Sequence, residues 1–145
     1  MSNISFTIAT VCYNAANTIE RTLHSVGAQD YPFVEHLIID GASKDATLNH
    51  LHLWEKQQEA MPTSHKLVVV SESDKGLYDA MNKALRLATG DYVLFLNAGD
   101  CFHSPTTLSD IVRSIQSAQY PDSQLPAVLY GDTELVDNDG HFLRH

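Results

Sequence analysis

Cysteine is scarce in this chain of 145 residues: Cys12 and Cys101 are the only two. They are too few for the stapled framework of a small secreted domain, and they lack the pair spacing of a zinc site. Both read as buried free thiols at the ends of strands, in a reducing, cytoplasmic setting. Basic residues are few as well. Nine Lys and Arg stand against eighteen Asp and Glu, a formal charge of −9. No broad basic surface can be assembled from them, which excludes non-specific attraction to nucleic acid or to an anionic membrane. An anionic small ligand remains allowed if a cation mediates. Met1–Phe6 has neither the basic start nor the apolar stretch of a signal peptide. No apolar run approaches the ~20 residues needed for a transmembrane helix. Repeats and low-complexity segments are missing too.

Nucleotide and nucleophile fingerprints are equally absent. There is no G-x-G-x-x-G after the first strand-like run, no G-x-x-x-x-G-K-[ST] and no G-x-S-x-G. Eight histidines are scattered along the chain. His50 and His52, two apart, would point to different sides of a helix, and all eight read as surface residues.

What remains is the pattern of a globular α/β protein, with 43% apolar and 19% charged residues. We expect one domain over residues 1–145. Ser5–Val11, Val34–Asp40, Lys66–Ser71, Tyr92–Leu96 and Ala127–Tyr130 are short, nearly continuous apolar runs, suited to parallel strands covered on both faces. Helical stripes lie between them: Ile19, Leu23 and Val26; Leu48, Leu51 and Trp54; Leu77, Met81, Ala84 and Ala88; Leu108, Ile111, Val112 and Ile115. Asp45 could cap the second helix, and Ser104-Pro105 suits the opening of the fourth. Strands and helices alternating in this order predict an open, mostly parallel, doubly wound sheet. Asp132–Asp137, Asn138-Asp139-Gly140 and His141–Arg144 read as a C-terminal β-hairpin.

In such a sheet, ligands bind outside the carboxyl ends of the strands. Polar residues collect there in four successive loops: Thr10-Val11-Cys12-Tyr13-Asn14, Asp40-Gly41-Ala42-Ser43, Ser71–Gly76 and Asn97-Ala98-Gly99-Asp100. The plainer alternative is that these are ordinary turn and cap residues. Carboxylates alone repel an anion, by roughly 4 kcal/mol at 4 Å with an effective dielectric near 20. They suit hard cations such as Mg²⁺ or Mn²⁺, whose oxygen shell substrate phosphates can complete. Asp100, just past an apolar strand, is the best single metal-ligand candidate.

Five stretches, in order, carry a family resemblance: TIATVCYN (7–14), IIDGASKDAT (38–47), SESDKGLYDAMNK (71–83), TGDYVLFLNAGD (89–100) and YGDTELVDNDG (130–140). The chain resembles glycosyltransferase family 2 enzymes of the GT-A fold, above all the bacterial polysaccharide subgroup that includes colanic acid glycosyltransferases. The resemblance implies a nucleotide-diphosphate sugar donor, typically a UDP-sugar, and a glycan or lipid-linked acceptor. It implies that Thr10, Tyr13 and Asn14 line the nucleotide pocket and that Asp40 contacts the base. Asp74 and Asn82 would approach the ribose, sugar and phosphates, with Lys83 either reaching a phosphate or lying exposed. Asp100 matches the last residue of the D-x-D-like metal motif. Asn97 replaces a carboxylate there and would bind the nucleotide sugar, orienting a water or a sugar hydroxyl, and Met81 stands where relatives often carry a phosphate-binding arginine. Relatives also continue well past residue 145, into the half that holds acceptor site and catalytic base. On this reading the chain is the donor-binding part of a longer protein, peripheral to the membrane when complete, and an uncovered apolar face would favour self-association. A non-catalytic nucleotide-sugar-binding module is the alternative. A phosphoryl-transfer enzyme fits less well, because Thr10-Val11-Cys12 stands where such enzymes place an aspartate.

Overall fold

A computed structural model describes residues 3–118, 120 and 124–144. The chain divides into two compact units, residues 1–112 and 113–145. The first contains four parallel strands, β1 (Phe6–Cys12), β2 (Val34–Asp40), β3 (Lys66–Ser71) and β4 (Tyr92–Phe95), in the spatial order β3-β2-β1-β4. Helices α1 (Ile19–Gly27), α2 (Thr47–Ala60) and α3 (Leu77–Leu87) connect them, and α4 (Thr107–Ser117) follows β4. The mostly parallel, doubly wound architecture expected from the alternating pattern is present.

The connection order explains why both sheet faces are covered. The chain steps outward from β1 to β2 to β3 and then returns past β1 to β4. With every crossover right-handed, that reversal moves the connecting helix to the opposite face. Accordingly, Ile19 and Leu23 of α1 and Leu51 of α2 pack with Cys12 and Ile38 on one face. Ala80 and Ala84 of α3 pack with Ala9, Val11, Leu37 and Ile39 on the other. Every residue of β1 and β2 is buried, and each large aliphatic side chain so placed contributes roughly 1.5–3 kcal/mol. Gly90 lets β4 lie close to β1, since a Cβ there would meet the Thr7 backbone nitrogen at 2.5 Å.

Several expectations are corrected. Residues 127–130 join no ladder among the described residues, and Val128 and Tyr130 are 75% and 98% exposed. A short apolar run becomes a strand only when a neighbour takes up its backbone hydrogen bonds. Helix α4 begins at Thr107 rather than at Pro105. Cys12 is buried, whereas Cys101 is exposed and lies beyond the end of β4. In the second unit, β5 (Leu135–Val136) pairs antiparallel with β6 (Phe142–Arg144). Its turn is closed by the Asp137 carboxylate, which accepts hydrogen bonds from the Asp139 and His141 backbones. The hairpin is therefore present, narrower than its sequence pattern suggests. No helix among the described residues is long and apolar enough to cross a membrane.

His36 is not a surface residue. It sits on β2 at 3% exposure, its Nε2 2.8 Å from Thr10 Oγ1. Burial, reinforced by the charge of His65, pushes its pKa down to about 3. The folded protein therefore holds it neutral, while the unfolded chain takes up a proton below about 6.5. Its stabilising contribution is complete above that pH and is lost as pH falls toward 3. We expect the unfolding free energy to drop by up to about 1.4 kcal/mol per pH unit from this group between pH 6 and 5. Urea melts across that range should show this slope, and His36→Gln should flatten it.

Candidate functional site

Each strand hands its hydrogen-bond ladder to the loop that follows it. Gly41 N donates to Cys12 O at 3.0 Å, Glu72 N to Asp40 O at 3.0 Å, and Ala98 N to Val11 O at 3.3 Å. The loops after β2 and β4 therefore flank the tip of β1 on either side, and the loop after β3 lies beyond that of β2. All four polar loops share one edge of the sheet. A cleft of about 530 Å³ opens there, lined by residues that include Cys12, Tyr13, Ala42, Lys44, Asp74 and Gly76. That volume lies within the range of small-molecule sites.

The loops brace one another. Asn14 N donates to Ser43 Oγ at 2.9 Å, and Lys44 N donates to Asn14 Oδ1 at 2.9 Å. Asp45 is occupied in the same framework, accepting from Thr47 N at 2.9 Å, from Thr47 Oγ1 at 2.5 Å and from Ala16 N at 3.2 Å. Those hydrogen bonds, led by that from the Thr47 hydroxyl, hold its carboxyl below the usual range. It thus ties down the start of α2, as its position suggests. Asn14 and Ala42 both adopt positive φ, 48° and 60°. For alanine that conformation is strained, and the surrounding contacts hold it.

Of the residues singled out by sequence, Tyr13 and Asp74 line the cleft. Tyr13 is 60% exposed at the wall of the cleft. The Asp74 carboxylate lies over Gly41, where a Cβ would come within 2.7 Å of Oδ2, and its Oδ1 accepts from Gly76 N at 2.9 Å. Asn14 acts as a brace between the first two loops. Asn82 is exposed on α3 and is not among the lining residues.

Two other residues singled out by sequence are placed inside the sheet edge. Thr10 is fully buried, with its hydroxyl on His36 rather than in the cleft. Asp40 is also fully buried, and the protein saturates its carboxylate. Oδ2 accepts from Ser43 N at 3.0 Å and Ser71 Oγ at 2.7 Å, while Oδ1 takes the Ser43 hydroxyl and the Cys12 thiol. Burial, together with the charge of Asp40, pushes the Cys12 thiol up to about 12, so it remains a neutral donor. Its two oxygens thus take four donors from the protein itself. Asp40 ties the loops after β2 and β3 together.

Lys83 is engaged within the protein. Its ammonium donates to Ser73 O at 2.8 Å and pairs with Glu72 at 3.2 Å and Asp79 at 4.0 Å. Lys44 was not singled out by sequence, yet it lines the cleft. The available signal was a lone lysine in a loop otherwise made of small and acidic residues.

The turn Asn97–Asp100 closes on itself through Asp100 N to Asn97 O at 2.9 Å and is pinned to α1 by Thr22. The Thr22 hydroxyl donates to Asp100 O at 2.8 Å and accepts from Gly99 N at 2.9 Å. Asp100 is exposed, and among the described residues its carboxylate accepts no hydrogen bond. Asn97 Oδ1 is buried without a hydrogen-bond partner, the one such side-chain atom among the described residues. Amide and carboxylate oxygens without an internal donor are of the ligand type that hard divalent cations take.

Residues 7–140 match the model of glycosyl transferase family 2. The chain belongs to that family. It is 31% identical over 127 residues to a PGL/p-HBAD biosynthesis glycosyltransferase of Mycobacterium bovis, covering 88% of this chain and 46% of that protein. It is 41% identical over 93 residues to the putative teichuronic acid biosynthesis glycosyltransferase TuaG of Bacillus subtilis, covering 64% of this chain and 35% of TuaG. The chain thus spans less than half the length of these curated relatives. Among solved structures, the mannosyltransferase PcManGT from Pyrobaculum calidifontis, in complex with GDP-Man and Mn²⁺, superposes with a TM-score of 0.69. It is 30% identical, over 78% of this chain and 32% of that one. S. aureus TarS 1–349, in complex with UDP-GlcNAc, superposes with a TM-score of 0.66 at 22% identity, over 92% of this chain and 40% of that one, a likeness of fold alone. Both superpositions show the same fold around the parallel sheet on which the cleft is built.

Proposed function

We propose that this chain forms the donor-binding part of a glycosyltransferase that uses a nucleotide-diphosphate sugar to build a bacterial polysaccharide or glycoconjugate. The observation that carries the reading is the cleft at the carboxyl edge of a family 2 sheet, where the tips of β1, β2 and β3 supply the lining. Tyr13 offers an exposed aromatic face for a base, and Asp74 offers an acceptor for ribose hydroxyls. UDP-sugars are the first donors to test. GDP-sugars stand beside them, because the mannosyltransferase relative at 30% identity carries GDP-Man.

Asn97 and Asp100 would hold Mg²⁺ or Mn²⁺, as the orphaned Asn97 oxygen and the free Asp100 carboxylate favour. When bound, such a cation neutralises charge on the departing diphosphate. The chain's own residues orient the donor: Asn14 and Ser43 fix the loop that carries Tyr13, and Asp40 fixes the loop opposite. The acceptor is a glycan or a lipid-linked glycan, and two free thiols fit a cytoplasmic setting.

Calorimetry with UDP and GDP in the presence of Mn²⁺ tests this reading. Asp74→Ala should weaken nucleotide affinity about tenfold, the loss of a hydrogen-bonded charged acceptor. Unchanged affinity in that variant would remove Asp74 from the site. Absence of binding by the unmodified chain would remove the cleft as the donor pocket.

A further inference from the structure

We infer that Lys44 is the side chain that grips the anionic diphosphate of the nucleotide, a contact resting on the reading of the cleft as a nucleotide site. A nucleoside diphosphate entering this cleft meets a chain of net charge −9. It also meets no glycine-rich phosphate cradle, and Met81 occupies a position where a cation could have stood. Counter-charge must therefore come from a small number of groups. Lys44 is the one basic residue lining the cleft among the described residues.

The two lysines of the segment that follows β3, Lys75 and Lys83, are accounted for. The Lys83 side chain is only 14% exposed, and its ammonium is held by Ser73 O, Glu72 and Asp79. Lys75 is exposed and does not line the cleft. Lys44 differs from Lys83 in having an ammonium that makes no ion pair or hydrogen bond among the described residues. Among the described residues no carboxylate forms an ion pair with it. Asp40 and Asp45 are filled by internal donors, and Asp74 Oδ1 is taken by Gly76 N.

Its backbone is nevertheless fixed. Lys44 N is tied to Asn14 Oδ1 at 2.9 Å, and the preceding Ser43 is held by both Asp40 and Asn14. An anchored backbone carrying a free ammonium at the wall of a cleft is arranged to meet an anion. A lysine there acts as a compact point charge on phosphate, without the planar fork by which arginine reads a fixed geometry.

The test compares nucleotides with nucleosides. The affinities of UDP, GDP, uridine and guanosine are measured by calorimetry for the unmodified chain, Lys44→Ala and Lys44→Arg, in Mn²⁺ and again in EDTA. Lys44→Ala should weaken the diphosphates about tenfold, the loss of one charge-assisted contact, and leave the nucleosides unchanged. The loss should persist in EDTA, which separates it from any cation held at Asp100, and Lys44→Arg should restore most of it. Equal loss for nucleoside and diphosphate would overturn the proposal, because Lys44 would then touch base or ribose. Unaltered diphosphate affinity in Lys44→Ala would overturn it as well. If the unmodified chain bound no nucleotide, the donor-pocket reading itself would fall. Matching thermal melts for the three proteins exclude a folding defect as the cause of any loss.

Discussion

Asp40→Ala is expected to lose at least about 3 kcal/mol of unfolding free energy, a large share of the 5–15 kcal/mol that stabilises a domain. The carboxylate is fully buried and accepts from Ser43 N, Ser43 Oγ, Ser71 Oγ and the Cys12 thiol. Removing it strands several donors at once, each costing about 1–3 kcal/mol where water cannot replace the lost acceptor. The serine hydroxyls can rotate in search of other partners. The Ser43 N–H is fixed by the backbone and cannot. Asp40→Asn keeps the volume but turns an amide N–H₂ toward groups that are themselves donors, so it should recover only part of the loss.

Urea denaturation of the three proteins at pH 7 measures the effect. An Asp40→Ala variant as stable as the unmodified chain, but unable to bind nucleotide, would restore the base contact implied by family resemblance. The expected pattern is the reverse: stability falls first, and binding falls because the loop bearing Ala42 and Lys44 loses its anchor.

Asp100→Ala should behave in the opposite way. Its carboxylate is exposed and accepts no hydrogen bond among the described residues, so its removal should change stability by less than about 0.5 kcal/mol. Nucleotide affinity in Mn²⁺ should nevertheless fall by about 10- to 100-fold, as when metal-supporting groups are removed elsewhere. In EDTA the variant and the unmodified protein should bind equally. Asn97→Ala should give a smaller loss in Mn²⁺ with the same disappearance in EDTA, since a neutral amide oxygen contributes less than a carboxylate. Identical affinities for Asp100→Ala and the unmodified chain in Mn²⁺ would remove the metal role of this turn. The two substitutions thus separate two kinds of aspartate at one sheet edge, one holding the architecture and one facing solvent.

The contrast between these residues also marks the limit of reading this chain from its letters. The strand runs, the stripes of α1 and α3 and the gathering of polar residues after four strands were legible, because each depends on local periodicity and on turn chemistry. Even the hairpin around Asn138-Asp139-Gly140 follows from neighbours in the chain. The direction of the side chains at the strand tips was not legible. Every position of β1 and β2 is buried, so alternation of apolar and polar residues cannot label a face. Thr10 and Asp40 turn inward because His36 and Ser71 meet them there, and those partners are 26 and 31 residues away in sequence. The run at 127–130 has the composition of a strand but no ladder to complete it among the described residues. Lys44 looked like any exposed loop lysine until the cleft formed around it. Composition and period specify which segments become strands and helices. Which polar group is satisfied internally, and which is left free for a ligand, depends on long-range hydrogen bonds that exist only once those segments have packed.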